Sequence, residues 1–152
     1  MNLDCDVFPV LSLFSEVDLF HNWMSIIKDS TILGEPSPFR KCFHYNFNFP
    51  WPLSSRDAVL IATGIPIPQN KSAMLVIRSM NDSYLGVDVP TLDSKTVRID
   101  IQIGGMNIMM KGPNKTQLSL IMQSDPHIRF IPQKLINFCC KHTLYYFMDS
   151  IK

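Results

Sequence analysis

Alternation of apolar and polar residues is clearest in the segment TVRIDIQIGGMNIMMKG, from Thr96 to Gly112. This alternation is typical of a strand with one buried face and one solvated face. Its apolar positions are Val97, Ile99, Ile101 and Ile103. The glycine pair at positions 104 and 105 predicts a two-residue hairpin turn into a second strand, which contains Met110.

Three further segments predict strands. CFHYNFNF (residues 42–49) alternates aromatic and polar residues, and AMLVIRSM and TQLSLIMQSD (residues 73–80 and 116–125) are rich in apolar residues. RDAVLIATGIPIP begins as a strand at Arg56, and we expect it to break at Gly64 and Pro66. DSTILGEPSP (residues 29–38) contains glycine and two prolines, which we expect to end the helical segment that precedes it.

Two segments have helical spacing. Residues 9–27 carry apolar side chains every three or four positions, and the C-terminal segment begins with Pro132 near the first helical position. One stripe of the C-terminal helix contains Ile136, Cys140, Thr143 and Phe147. Two helical ends and five or six antiparallel strands together predict an α+β fold.

Length and charge narrow the function classes. A chain of 152 residues predicts one domain, residues 1–152, and a formal net charge of +1 argues against a nucleic-acid partner. The four cysteines, at positions 5, 42, 139 and 140, lack C-x-x-C spacing and are interpreted as buried thiols in a reducing compartment. The first residues do not resemble a signal peptide, and no apolar run reaches the roughly 20 residues of a membrane span, so we expect a cytoplasmic protein.

Catalytic motifs are absent from the sequence. The four histidines have no metal-ligand spacing, and the chain contains no H-E-x-x-H, phosphate-binding loop or G-x-S-x-G. Cys139 and His142 lie one helical turn apart, but no oxyanion hole accompanies them. We therefore expect a non-enzymatic protein without catalytic residues, metal or cofactor. The nine methionines suit either ordinary core packing or an adaptable apolar site.

Four segments in order resemble the START domains, the lipid-binding modules of phosphatidylcholine- and sterol-transfer proteins. FPWPLSSRD resembles their P-x-P-L-S-x-R-D signature, and SEVDLFHNWM resembles the helix that precedes it. TVRIDIQIGGMNIM resembles their V-R strand, while TQLSLIMQSDP and IPQKLINF resemble the last strand and the start of the final helix. Within that family the chain resembles the phosphatidylcholine-transfer-protein-like members. It implies a helix-grip fold, in which a curved antiparallel sheet wraps around a long C-terminal helix.

The resemblance also implies a function, namely binding and transfer of one lipid, a phospholipid, sterol or other, in an apolar tunnel closed by the C-terminal helix. Transient membrane contact accompanies such transfer, with Phe130 as a candidate loop residue, and Arg56 and Asp57 act as structural signature residues. The candidate tunnel and lid residues are Leu60, Ala62, Val97, Ile99, Ile101, Ile103, Met110, Ile136, Cys140, Thr143 and Phe147.

The chain departs from the family pattern in ways that leave an alternative open. We expect it to lack the family's N-terminal helix and first three strands, either as a truncated or processed form, as a divergent minimal version, or with a swapped partner that supplies the missing sheet edge. An uncovered strand edge would favour a homodimer. Several members place an arginine where this chain has Ala62. The alternative is a regulatory or protein-interaction module that has the START fold without a usable lipid tunnel.

Overall fold

The computed structural model describes residues 1–48, 54–125, 127 and 132–151, apart from the side chains of residues 133, 135 and 138–140. The signature prolines, the loop that contains Phe130 and the side chain of Cys140 lie outside the described residues.

The described part begins with a short strand and a helical layer. Strand β1 (Asn2–Leu3) is followed by helix α1 (Val7–Ser15) and a 3-10 helix (Val17–Asn22). Asp6 caps α1, because its carboxylate accepts a hydrogen bond of 3.0 Å from the amide of Phe8. The segment predicted as one helix over residues 9–27 is therefore two shorter helices.

Six strands follow the helical layer. They are β2 (Ile27–Ser37), β3 (Arg40–Phe47), β4 (Ser55–Ile67), β5 (Ser72–Ser79), β6 (Thr96–Arg98) and β7 (Asp100–Gly112). Strand β8 (Lys115–Asp125) and helix α2 (Gln133–Ser150) complete the described chain, and a short 3-10 helix (Pro68–Asn70) joins β4 to β5.

The strands form one sheet in the order β1-β8-β7-β5-β4-β3-β2, with antiparallel neighbours throughout this path. Strand β6 departs from the pattern, since it pairs in parallel with the first three residues of β4. The α+β prediction is confirmed: a single curved sheet lies beside a C-terminal helix, as in a helix-grip fold. The eight strands of the described part exceed the five or six predicted.

The predicted hairpin turn at Gly104 and Gly105 is wrong. Both glycines lie inside β7, where they pair with Met122 and Ile121 of β8. The chain instead reverses at residues 113 and 114, between the paired residues Gly112 and Lys115, and Asn114 adopts a left-handed φ of 53°. A Pro-Asn turn therefore closes the hairpin.

Candidate functional site

One face of the sheet, called the inner face here, carries most of the hydrophobic core. Ala58, Leu60 and Ala62 of β4 lie on it, and the side chains of α1 and the first 3-10 helix pack against it. Buried apolar residues from β3, β7 and β8 complete this layer: Phe43, Tyr45, Met106, Ile108 and Leu118. The alternation along each strand therefore selects the core residues.

Aromatic rings fill the inner face at the β3 side of the sheet. Phe20 stacks on Tyr45 at 5.6 Å between centroids and lies 4.8 Å from Trp23. Their neighbours in ring contact are Phe14, Phe43, Phe47 and Phe147. We call these seven residues the aromatic cluster. It packs the first 3-10 helix onto the sheet and holds the C-terminal end of α2.

The inner face is less well covered along β5, β7 and β8. Here Leu75, Ile77, Ile101 and Leu120 are only half-buried, and Met122 is 53% exposed. In α2, which follows β8, all of residues 141–146 are exposed, although six successive residues point in every direction around a helix. The middle of α2 therefore lies away from the sheet. We call the space above these half-buried apolar residues the trough.

Helix α2 is anchored near its C-terminus. Phe147 contacts the rings of Phe14 and Trp23, with centroid distances of 6.2 and 6.1 Å. The hydroxyl of Ser25 donates a hydrogen bond of 3.3 Å to the hydroxyl of Tyr146. A cavity of about 170 Å³ separates this part of the helix from the N-terminus, between Met1 and residues 145, 148 and 149.

The predicted site residues occupy several environments. Leu60, Ala62 and Ile99 are buried in the core, whereas Val97, Ile101, Met110, Ile136 and Phe147 are half-buried. Thr143 is exposed. Ile101, Met110 and Phe147 pack against the inner-face core, so these three have the position that a trough wall or lid requires.

Ile103 does not lie on the inner face with Ile101. A β-bulge separates the two, because Ile101 pairs with Ser124 whereas Ile103 pairs with the next residue of β8, Gln123. The extra residue in β7 reverses the alternation, and Ile103 turns to the outer face, where it is 53% exposed. The hydroxyl of Ser79 accepts a hydrogen bond of 2.8 Å from the amide of Ile101 at this point.

The signature residues Arg56 and Asp57 point to opposite faces of β4. The buried guanidinium of Arg56 donates a hydrogen bond of 2.6 Å to the carbonyl of Ser54. The carboxylate of Asp57 accepts from Arg98 on β6, with Nη2 at 2.6 Å, and from Nε2 of His44 on β3 at 2.9 Å. Burial raises the pKa of Asp57, but hydrogen bonds and charge from Arg98 and His44 outweigh it and hold the pKa below its usual value.

The signature can be recognised in the sequence, but the partners of Asp57 cannot. The signal available was the V-R dipeptide at residues 97 and 98, whose arginine alternates with the buried side. Asp57 links three strands, since His44 lies on β3 and Arg98 on β6. This network on the outer face joins β3, β4 and β6 at the point where β4 enters the sheet.

The outer face also carries apolar residues at positions where a strand with one solvated face normally has polar residues. Ile103 and Ile121 on β7 and β8, with Met74 and Ile65 on β5 and β4, are all exposed large apolar side chains. A second cavity of about 240 Å³ lies on this side, lined by residues 78 and 80–84 and Ile61.

Within the described ranges no group of three or more histidine, cysteine or acidic side chains is placed to hold a metal ion. Across those ranges, no helix has the length and apolar character needed to cross a membrane.

Comparisons by sequence find no matching family model and no matching curated protein. Comparison of folds does find matches. Human STARD10 superimposes with a TM-score of 0.83 at 16% identity, over 97% of this chain and 57% of that chain. Human StAR-related lipid transfer protein 5 gives a TM-score of 0.82 at 13% identity, over 98% of this chain and 69% of the other.

A bacterial protein is similar as well. The STAR-related lipid transfer protein of Xanthomonas axonopodis has a TM-score of 0.79 and 18% identity, over 99% of this chain and 79% of that chain. This chain thus spans slightly more than half of the STARD10 structure and about two thirds to four fifths of the other two. These similarities show that the chain has the helix-grip fold of the START-type lipid transfer proteins.

Proposed function

We propose that this protein binds one lipid in the trough and carries it without catalysis. The observation that supports this proposal is the incomplete covering of the inner face. Apolar side chains of β5, β7 and β8 remain half-buried there, while the middle of α2 is exposed on all sides. A lipid chain inserted between sheet and helix would cover both surfaces.

The energetic gain from such binding is large. Each buried methylene contributes about 0.8 kcal/mol, so a chain of about fifteen methylenes gains ~12 kcal/mol on leaving water. Ile101, Met110 and Leu120 supply apolar contacts along the floor, and Phe147 closes one end. The proteins of similar fold are lipid transfer proteins by name, which agrees with this use of the trough.

Release of a lipid requires that α2 move away from the sheet. The exposed face of α2 carries Lys141, Tyr145 and Tyr146, which suit the boundary between lipid headgroups and water. We propose transient membrane contact through this face, in addition to the predicted contribution of Phe130.

A protein-interaction module without a usable tunnel is the second candidate function. The sizes of the two cavities favour it, because volumes of about 240 and 170 Å³ lie below the range of about 300–1,000 Å³ typical of ligand pockets. If this alternative holds, the trough stays empty and the purified protein takes up no lipid.

A homodimer through β8 is proposed for the open sheet edge. Strand β1 pairs with only Thr116 and Gln117 of β8, so the rest of that edge has no strand partner among the described residues. The amide of Leu118 donates to Met1 on this side, and by alternation the amide of Met122 faces the same way. Met122→Pro should therefore reduce dimerisation in analytical ultracentrifugation while the pairing with β7 remains intact.

Native mass spectrometry of the purified protein, followed by organic extraction, tests lipid binding. A discrete added mass that resolves into one lipid class supports the proposal. A protein that carries no lipid and takes none from mixed vesicles contradicts it and favours the interaction module.

Substitutions around the bulge locate the lipid. Ile101→Arg places a charge on the inner face and should abolish lipid uptake. Gln102→Arg and Ile103→Arg introduce the same charge at exposed neighbouring positions and should leave uptake unchanged. Equal loss in all three variants would argue against the trough as the binding site.

A further inference from the structure

Two polar atoms inside the aromatic cluster have no hydrogen-bond partner among the described residues. They are the hydroxyl oxygen of Tyr45 and the indole nitrogen Nε1 of Trp23, and both atoms are buried. The side chain of Tyr45 belongs to a residue that is only 6% exposed. Both rings contact Phe20, so the two side chains lie in one part of the inner face.

Unpartnered buried donors are costly and uncommon. Leaving one unsatisfied costs about 1–3 kcal/mol, and the large majority of buried polar groups in folded proteins are paired. Phenylalanine would fill the place of Tyr45 without this cost, as it does at neighbouring positions 43 and 47. A partner that arrives from outside the chain would account for both atoms.

From this arrangement we propose that Tyr45 and Trp23 hold the uncharged acceptor oxygen of a lipid, an ester carbonyl or a hydroxyl, by two hydrogen bonds. This inference rests on the proposed lipid binding and names the chemistry of the bound polar group. An indole nitrogen can only donate, and the hydroxyl of Tyr45 donates in the same way, so the ligand must accept.

The negative charge of Asp18 near the pair disfavours an anionic group. Burial, and next the negative charge of Asp18, raise the pKa of Tyr45, which shows that a carboxylate already acts on this hydroxyl. A second carboxylate or a phosphate beside Tyr45 would be repelled by the charge of Asp18, so we expect an uncharged acceptor there.

Access to the pair depends on α2. The ring of Phe147 lies 6.1 Å from that of Trp23 and covers this end of the cluster. Movement of α2 away from the sheet would withdraw Phe147 and open a path from the trough to the two donors. The polar end of the lipid would then lie beneath the C-terminal turns of α2, with its chain along β5, β7 and β8.

The test compares four probes with the same twelve-carbon chain: methyl dodecanoate, dodecan-1-ol, dodecanoate and dodecane. Their affinities are measured by displacement of a fluorescent fatty-chain probe from the full protein. We expect the ester and the alcohol to bind the wild-type protein more tightly than dodecane or dodecanoate. Tyr45→Phe and Trp23→Phe should each weaken ester binding about 3- to 10-fold, the range of one neutral hydrogen bond, and leave dodecane binding unchanged.

Controls separate this inference from the general proposal. Tyr84→Phe removes a hydroxyl on the outer face and should not change any affinity. Tyr45→Phe should unfold at the same temperature as the wild type or higher, which shows that the variant is folded. If the ester binds equally to wild type and both variants, or if dodecanoate binds best, the donor pair is refuted while lipid binding stands. If the wild type binds none of the four probes, both proposals fail.

Discussion

The contact between Asp57 and Arg98 allows a quantitative prediction about stability. The Asp57 side chain is 3% exposed and that of Arg98 is 22% exposed, so the pair is largely removed from water. Removing one partner of a buried ion pair costs about 3–5 kcal/mol, because the other charge is left uncompensated. His44 still contacts the carboxylate, and Arg98 is partly solvated, so we expect the low end, about 3 kcal/mol, for Arg98→Met.

Thermal unfolding followed by circular dichroism measures this effect. For a chain of this length each kcal/mol lowers Tm by about 2–4 °C, so Arg98→Met should lower Tm by about 6–12 °C. The matched control is Lys41→Met, which removes the surface pair with Glu35, whose side chain is 52% exposed. Exposed pairs contribute about 0–1 kcal/mol, so the control should shift Tm by a few degrees at most.

A double-mutant cycle with Asp57→Asn isolates the pair itself. We expect Asp57→Asn and Arg98→Met to couple by about 2 kcal/mol, because each side chain loses the same partner. Equal Tm shifts for Arg98→Met and Lys41→Met, or a coupling energy near zero, would refute the reasoning.

The same carboxylate predicts how stability depends on pH. The pKa of Asp57 is lower in the folded protein than in the unfolded chain, where it is about 3.9. Its contribution is therefore complete above the unfolded pKa and is lost as pH falls through the folded pKa. The Tm difference between the wild type and Asp57→Asn should be constant from pH 7 to about 5 and should shrink below about pH 4. A difference that stays unchanged as pH falls below the unfolded pKa would contradict this assignment.

Two further substitutions test the packing around the sheet. Phe147→Ala should lower the free energy of unfolding by about 2–3 kcal/mol, less than for a fully buried ring, and should weaken lipid retention in native mass spectrometry. Gly34→Ala should cost about 1–3 kcal/mol in denaturant unfolding, because its new Cβ would lie 2.6 Å from Val87, whereas Gly112→Ala meets no atom within 4 Å and should be close to neutral. A neutral Gly34→Ala would show that Val87 moves freely.

The sequence pattern predicted the sheet well where alternation is uninterrupted. Residues 58–62 and 116–125 lie in strands as expected, and Leu60 and Ala62 share the buried face. The pattern failed at the bulge after Ile101. One extra residue in β7 turns the following side chains to the opposite face of the sheet, although apolar and polar residues still alternate in the sequence.

The other differences between predicted and observed strands lie at glycine and proline residues. Strand β2 contains Gly34 and Pro36, but it lies at the edge of the sheet, where a missing amide donor is tolerated. Pro66 lies in β4 beyond Thr63, the last residue that pairs with β3, so that side of β4 needs no donor. Neither position can be recognised from one sequence, because the order of strands is a property of the whole sheet.

Pairs that meet only in three dimensions were also invisible to sequence reasoning. Tyr45 and Trp23 are 22 residues apart, and only the fold brings their side chains together and buries two polar atoms that have no partner among the described residues. The aromatic spacing of CFHYNFNF indicated a buried face, but not that a hydroxyl on it would lack a partner.

The anchoring of α2 at one end makes the helix a lever. Phe147 fixes the C-terminal end, and residue 133 lies fourteen residues away, which is about 21 Å along the axis at 1.5 Å per residue. A rotation of about 20° about this end would therefore move the distal end by about 7 Å. A weak force applied at the far end, such as attraction to a membrane surface, would therefore exert a larger force on the aromatic cluster, because it acts through the length of the helix.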